Sequence, residues 1–345
     1  MKGLRKYLTP FAPDQSGAVS VLYELGGIVV ICDAGGCTGN ICGFDEPRWH
    51  THRSAIFSAG LRDMDAILGR DDKLVAELVD AAQKIDALFA AIVGTPVPSV
   101  IGTDYLALRR MTEKKVDLPV LTVDTTGMEL YDVGAEKAYL ALMRRFAREK
   151  QKSVPGRIGV LGVNPLDMSD LRAGDRIRSV LPSAMCFGMG SGLDDIVAAP
   201  SAEKNIVVAP SGLRAAQYLD EKFGIPYEVY DPIAELLLPD MDYTGKRILV
   251  IDQQVRANTL RNILMDRGAA EVHCATWFLM DTTRTLPGDC KLKEEDDFET
   301  LVYNGNYDFL IGDPTLWRIV PNYAGEKIDL PQFPVSGRLG GDALD

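Results

Sequence analysis

Val29-Val30-Ile31-Cys32-Asp33-Ala34-Gly35-Gly36-Cys37-Thr38-Gly39-Asn40-Ile41-Cys42-Gly43 is a β-branched run that empties into glycines and cysteines, then continues as Phe44-Asp45-Glu46-Pro47-Arg48-Trp49. Valine and isoleucine suit a buried pleated strand, and clustered glycines end one. The stretch therefore reads as a strand feeding a tight loop at its carboxyl end. Three of the chain's six cysteines lie in it, at positions 32, 37 and 42. Thiolates ligate soft metals and iron–sulfur clusters, and glycines at 35, 36, 39 and 43 let backbone approach a bulky group closely.

The same strand-then-helix unit recurs outward from this point. Apolar strand patterns fall at 54–58, 87–93, 118–123, 157–164, 184–187, 205–209, 243–252, 271–276 and 308–313. Helical spacing occupies 18–25, with Asp14 or Ser16 as its N-cap, and also 73–82, 134–150 and 257–267. Alternating β and α with short connections calls for parallel sheets covered by helices. The expected architecture is α/β, three Rossmann-like parallel βα domains around a central cleft. The boundaries are 1–153, which carries the cysteine loop, then 154–240 and 241–345, with the polar segment 150–156 as a linker. Ligands bind at the carboxyl ends of such strands. Cys37, Asn164-Pro165, Gly188-Met189-Gly190-Ser191-Gly192, Gln253-Gln254 and Gly312-Asp313-Pro314 are thus the candidate cleft walls.

At 345 residues, 46% hydrophobic and 25% charged, the composition is that of a soluble globular chain of more than one domain. A net charge of −12 argues against nucleic acid as a partner. No apolar run reaches the roughly 18–20 residues that span a bilayer, and the N-terminus lacks a signal-peptide core, so the reading is cytoplasmic with no membrane partner. Six unevenly placed cysteines do not make a disulfide scaffold, which leaves metal binding, catalysis or burial.

Residue by residue, Cys32 alternates with apolar neighbours and reads as a core thiol or an additional ligand, while Cys42 reads as a ligand or a plain loop residue. His50 and His52 are candidate proton relays or metal ligands, against a reading as solvated loop residues. Arg48 and Trp49 suit packing and an ion pair beneath the loop or at a subunit interface. The glycines at 188–192 lack a full phosphate-loop pattern and read as a cleft turn. Cys186 reads as core, only one of His273 and Cys274 can face a core, and 289–297 reads as a solvated helix start.

Taken in order, Pro13-Asp14-Gln15-Ser16-Gly17-Ala18, Gly35-Gly36-Cys37, residues 61–74, Val100-Ile101-Gly102-Thr103-Asp104, Val123-Asp124-Thr125-Thr126-Gly127-Met128, Phe223-Gly224-Ile225-Pro226-Tyr227 and Gly245-Lys246-Arg247 resemble component 1 of the nitrogenase superfamily. That group includes the MoFe-protein subunits, their cofactor-assembly homologues, the catalytic subunits of dark-operative protochlorophyllide reductase and the nickel-sirohydrochlorin diamide cyclase reductase. The resemblance implies an iron–sulfur subunit of a two-component reductase, in which low-potential electrons from an ATP-dependent iron protein reduce a bound substrate or cofactor. It also implies a [4Fe–4S] cluster shared between subunits of a homodimer or heterodimer, with Cys37 at the family's Gly-Cys ligand position.

Two departures stand out. Phe11-Ala12-Pro13-Asp14 and Gly94-Thr95-Pro96-Val97-Pro98-Ser99 occupy places where the family usually has cysteines. Asp14 is either an oxygen ligand, as one branch of the family uses, or a helix cap, and Cys32 and Cys42 are candidate replacements for the missing thiols. The cysteine and histidine that anchor the large cofactor in molybdenum-type subunits have no counterpart, so dinitrogen reduction by this chain alone is not expected. The alternatives are a non-catalytic scaffold that carries or matures a metallocofactor, and a binding protein without a cluster in which Cys37 is merely buried.

Overall fold

Every strand pairing in the computed structural model, which describes residues 5–62, 64–65 and 71–340, is parallel among the described residues. Strands β1 (Gly27–Ile31), β2 (Ala55–Ser58), β3 (Phe89–Val93) and β4 (Val120–Val123) form a sheet in the order β2-β1-β3-β4. Strands β5 (Ile158–Leu161), β6 (Ala184–Cys186), β7 (Lys204–Val207) and β8 (Tyr227–Val229) repeat it as β6-β5-β7-β8. The third sheet, β11-β10-β9-β12-β13, uses β9 (Arg247–Ile251), β10 (Glu271–Thr276), β11 (Cys290–Lys291), β12 (Phe309–Gly312) and β13 (Glu326–Asp329). In each sheet the first strand is internal, so the strand order reverses beside it and opens a crevice outside the carboxyl ends. All of β1 and all of β3 are buried, which is why both read as unbroken apolar runs.

Two helices weld the sheets together. Asp14–Leu22 is buried along its whole length and crosses Tyr131–Phe146 at a glycine on each side. A Cβ on Gly17 would sit 1.8 Å from the Tyr131 carbonyl oxygen, and one on Gly134 would sit 1.7 Å from that of Asp14. Ala135, Ala138, Tyr139, Leu142 and Met143 of the second helix fill a core common to the first two sheets. Its first residue, Tyr131, packs instead among aromatic side chains of the third, 5.0 Å from Phe278.

The α/β, three-sheet expectation matches this architecture, and several details differ. Residues 36–45 form not an open loop but the helix Gly36–Asn40, which passes into a π-helical turn, Ile41–Asp45. Pro13, not Asp14 or Ser16, occupies the N-cap of the first helix, and the helix expected at 134–150 runs Tyr131–Phe146. Strands β11 and β13 gave no sequence signal because edge strands this short and polar, such as Glu-Lys-Ile-Asp, carry almost no apolar alternation. Of the 61–74 segment, Asp63 and residues 66–70 lie outside the described residues. No described helix is long and apolar enough to cross a membrane.

Candidate functional site

At the carboxyl end of β1 the chain is turned by Gly35, at φ 114°, directly into the Gly36–Asn40 helix. Asp33, 2% exposed, fixes that turn: its carboxylate accepts from the Thr38 amide at 2.8 Å, the Thr38 hydroxyl at 2.9 Å and the Ser58 hydroxyl at 2.6 Å. Cys37 and Cys42 are half-buried and pack against the same core. Burial first, then the nearby Asp33 carboxylate, raises the Cys37 thiol above its ordinary pKa. Burial, Glu46 and Asp33 do the same for Cys42. Cys32 belongs to a different core cluster, on the other side of the sheet, and burial pushes its thiol up to about 12. Alternation at the end of β1 sets Cys32 on the face of Ile28 and Val30, whereas Cys37 and Cys42 lie on the helical segment that follows, against the core of Val29 and Ile31.

Glu46, Arg48 and Glu24 lock the segment from beneath. The Arg48 guanidinium, 1% exposed, lies 2.7 Å from Glu46 and 2.8 Å from Glu24, and donates to the Ser20 carbonyl at 2.6 Å and the Gly188 carbonyl at 3.3 Å. Burial alone would lower its pKa, but the two glutamates outweigh burial and hold it charged. The Gly190 amide donates to Glu24 at 2.7 Å, so the glycine turn of the second sheet is the counter-surface for this ion cluster. Asp14 is completely buried, and its oxygens accept the Thr126 amide at 2.8 Å and the Gly127 amide at 2.7 Å. It tethers the connection after β4. His50, His52 and Trp49 are exposed at the end of the segment.

The crevice between the sheets is closed by its own walls. Asp167, fully buried, accepts from Asn164 and Ser211, each at 2.5 Å, and from Tyr131 at 3.2 Å. Arg256 donates to Asp231 at 2.8 Å and to the Met168 carbonyl at 3.2 Å, and Gln253 donates to the Val208 carbonyl at 2.7 Å. Burial raises Asp167 to about 7 and Asp132 and Asp252 to about 6 each. Asn164 and Gln253 were visible in the sequence as strand-end residues. Asp167, Ser211, Asp231 and Arg256 were not, since each lies inside a helix or connection whose burial is tertiary. Cys186 is core, and Cys274 faces a core while His273 bonds Tyr307 and Glu271. Glu295, read from sequence as solvated, is buried and accepts the amides of Lys6, Tyr7 and Leu8.

Comparison with known proteins bears on this arrangement. The family described as nitrogenase component 1 type oxidoreductase matches residues 15–235. The chain belongs to this family. A relative, the nitrogenase iron-molybdenum cofactor biosynthesis protein NifE of Clostridium pasteurianum, is 29% identical over 181 residues, a match covering 50% of this chain and 38% of that protein. The chain thus spans well under half the length of that relative. Among solved structures, nitrogenase Cp1 at pH 6.5 superposes with a TM-score of 0.74 at 12% identity, over 99% of this chain and 89% of that one. Nitrogenase Cp1 at pH 5 gives 0.70 at 16% identity, over 96% and 85%. At these identities the likeness is one of fold.

Nitrogenase component 1 proteins as a family bind iron–sulfur clusters, and the donor set here bears on how this member would do so. Cys37 and Cys42 are thiols of the right chemistry on one short helical segment, but a cluster takes four ligands. Among the described residues no three His, Cys, Asp or Glu side chains gather as a metal site. Both Asp14 oxygens are already engaged by amides. The chain therefore fits part of a ligand set rather than a whole one.

Proposed function

We propose that this chain is an iron–sulfur subunit of a nitrogenase-like two-component system, which takes low-potential electrons from an ATP-dependent iron protein and shares a [4Fe–4S] cluster with a second component 1 subunit. The observation that carries this reading is the setting of Cys37. It is a half-buried thiol at the carboxyl end of the first sheet, where the connections after β1, β3 and β4 also leave Phe44, Val97, Val100, Ile101 and Met128 exposed, Val100 to 81%. Apolar groups exposed together on neighbouring connections mark a surface that a partner covers. Cys37 and Cys42 would hold the cluster from this side, the partner subunit would supply the remaining ligands, and Asp14 would position the 126–128 connection. When bound, such a cluster supplies single-electron transfer. His50 and His52, exposed at the end of the same segment, are the candidate proton donors.

A second reading, a scaffold that carries or matures a metallocofactor, is favoured by the match to a cofactor biosynthesis protein and by a central crevice filled with the chain's own polar side chains. Anaerobic purification alone and with a co-expressed component 1 partner, followed by iron and sulfide analysis and EPR after dithionite, tests the shared cluster. Absence of iron from both preparations overturns it. ATP-dependent reduction of the EPR signal's parent cluster by an iron protein supports the reductase, whereas a cluster that is inert to the iron protein but passes to an acceptor protein supports the scaffold.

A further inference from the structure

A cavity of about 500 Å³, lined by none of the thiol-site residues, lies against the outer edge of β4. Six cations line it: Arg109, Lys137, Arg144, Arg145, Arg148 and Arg214. This is a large concentration in a chain with 37 Lys and Arg against 49 Asp and Glu. Three of the six have carboxylate partners: Lys137 with Asp124 at 3.4 Å, Arg145 with Glu113 at 2.6 Å and Arg214 with Glu136 at 3.3 Å. Arg109, Arg144 and Arg148 have none among the described residues, although Arg148 donates to the Arg145 carbonyl and Arg144 lies over the Tyr218 ring.

Two further observations favour an anionic ligand here. The Nε atoms of Arg109 and Arg145 are both buried with no hydrogen-bond partner among the described residues, and an unpaired buried donor costs free energy unless something accepts from it. Arg145 is also held below its ordinary pKa, by burial first and then by the adjacent Arg148 and Arg109, against the opposing pull of Glu113. Guanidinium groups are crowded together here without enough negative charge to balance them. The floor, by contrast, is apolar, made by Leu121, Leu140 and Ala141.

We propose that this cavity is a binding site for a small organic polyanion, one whose phosphate or carboxylate groups meet the arginine forks while its carbon skeleton lies on the Leu121, Leu140 and Ala141 floor. Planar guanidinium groups bind both oxyanions bidentately, and the volume lies within the usual range for small-ligand pockets. Because Arg214 belongs to the second sheet's Leu213–Phe223 helix and the others to the first unit, the ligand clamps the two units together.

Titration calorimetry of the purified full chain with ADP, inorganic pyrophosphate and citrate, at about 150 mM salt so that unspecific surface attraction is screened, tests this. The expected result is one site for ADP or for citrate, with affinity falling at least tenfold in an Arg144→Ala/Arg148→Ala double variant and unchanged in Lys84→Ala, a cation on another face. Arg144 and Arg148 are exposed, so circular dichroism should show the double variant folded; Arg214→Ala provides an independent second variant if it is not. ADP binding without citrate binding makes the ligand a phosphate ester, and the reverse makes it a polycarboxylate. Pyrophosphate binding as tightly as ADP overturns the apolar floor's role. No binding of any probe at millimolar concentration, or equal binding by the double variant, overturns the site.

Discussion

Arg48 Nε and Glu46 Oε1 lie 2.7 Å apart with both side chains 1% exposed, two residues apart on the turn that closes the cysteine segment. The pair is buried because Arg48 reaches through the first unit to the glycine turn of the second, where Gly188 accepts from it and Gly190 donates to Glu24. Breaking a buried pair leaves the surviving charge uncompensated. Arg48→Ala is expected to cost about 3–5 kcal/mol in urea unfolding. Arg48→Lys, which keeps the charge but loses the planar fork, should recover only part of that loss.

The crossing of Asp14–Leu22 with Tyr131–Phe146 depends on bare backbone. A methyl at position 17 or 134 would lie under 2 Å from a carbonyl oxygen of the facing helix, and neither neighbour is a flexible side-chain end. Gly17→Ala and Gly134→Ala should each cost about 3 kcal/mol or more, at the upper end of overpacking penalties, and lower the thermal midpoint. A variant within about 0.5 kcal/mol of wild type would mean that the helices cross more loosely than described.

The pH dependence of stability should carry the signature of Asp167. Its folded pKa, about 7, lies above its ordinary value of 3.8, chiefly because burial penalises the charged form. The group's contribution to stability is therefore fully present below about pH 4 and is lost as pH rises through about 7. Asp132 and Asp252, each near 6, act in the same direction. Unfolding free energies measured from pH 5 to 8 should fall less steeply in Asp167→Asn than in wild type, and an unchanged slope would remove Asp167 from the account.

The three thiols of the opening segment should behave differently. In anaerobic preparations with a partner subunit, Cys37→Ser is expected to lose most bound iron, and Cys42→Ser a substantial part of it. Cys32→Ser should keep iron while losing stability, because a hydroxyl is placed in an apolar core. Iron and sulfide analysis alongside urea unfolding separates these outcomes.

Replacing exposed apolar groups at the carboxyl end of the first sheet tests the shared interface directly. Val100→Asp and Met128→Asp touch no core and should leave the isolated chain's unfolding unchanged within about 0.5 kcal/mol. They should shift the assembly toward monomer by light scattering, with loss of iron in step.

Local chemistry made much of this molecule legible in its sequence. Strands such as Gly27–Ile31 and Phe89–Val93 are buried on both faces, so their apolar runs announce parallel sheets, and alternation allowed only one of His273 and Cys274 to face a core, which the structure shows to be Cys274. The glycines beside Cys37 announced a sharp change of direction at the end of β1. Tertiary structure decided the rest. Asp167 and Glu295 are residue types that belong in water unless paired, and Asp167 pairs with Ser211 and Glu295 with the amides of residues 6–8, while Arg48, whose ion pair the sequence suggested, reaches beyond its neighbour Glu46 to Glu24 and the Gly188 carbonyl. Asp14 looked like the cap of its own helix but serves a connection more than a hundred residues away. The arginines of the β4 cavity come from three separate helices and the connection after one of them, and no spacing in the sequence records that they converge. Periodicity reports which face of an element is buried; only packing fixes what that face meets, and with it which charges find counterions and which do not.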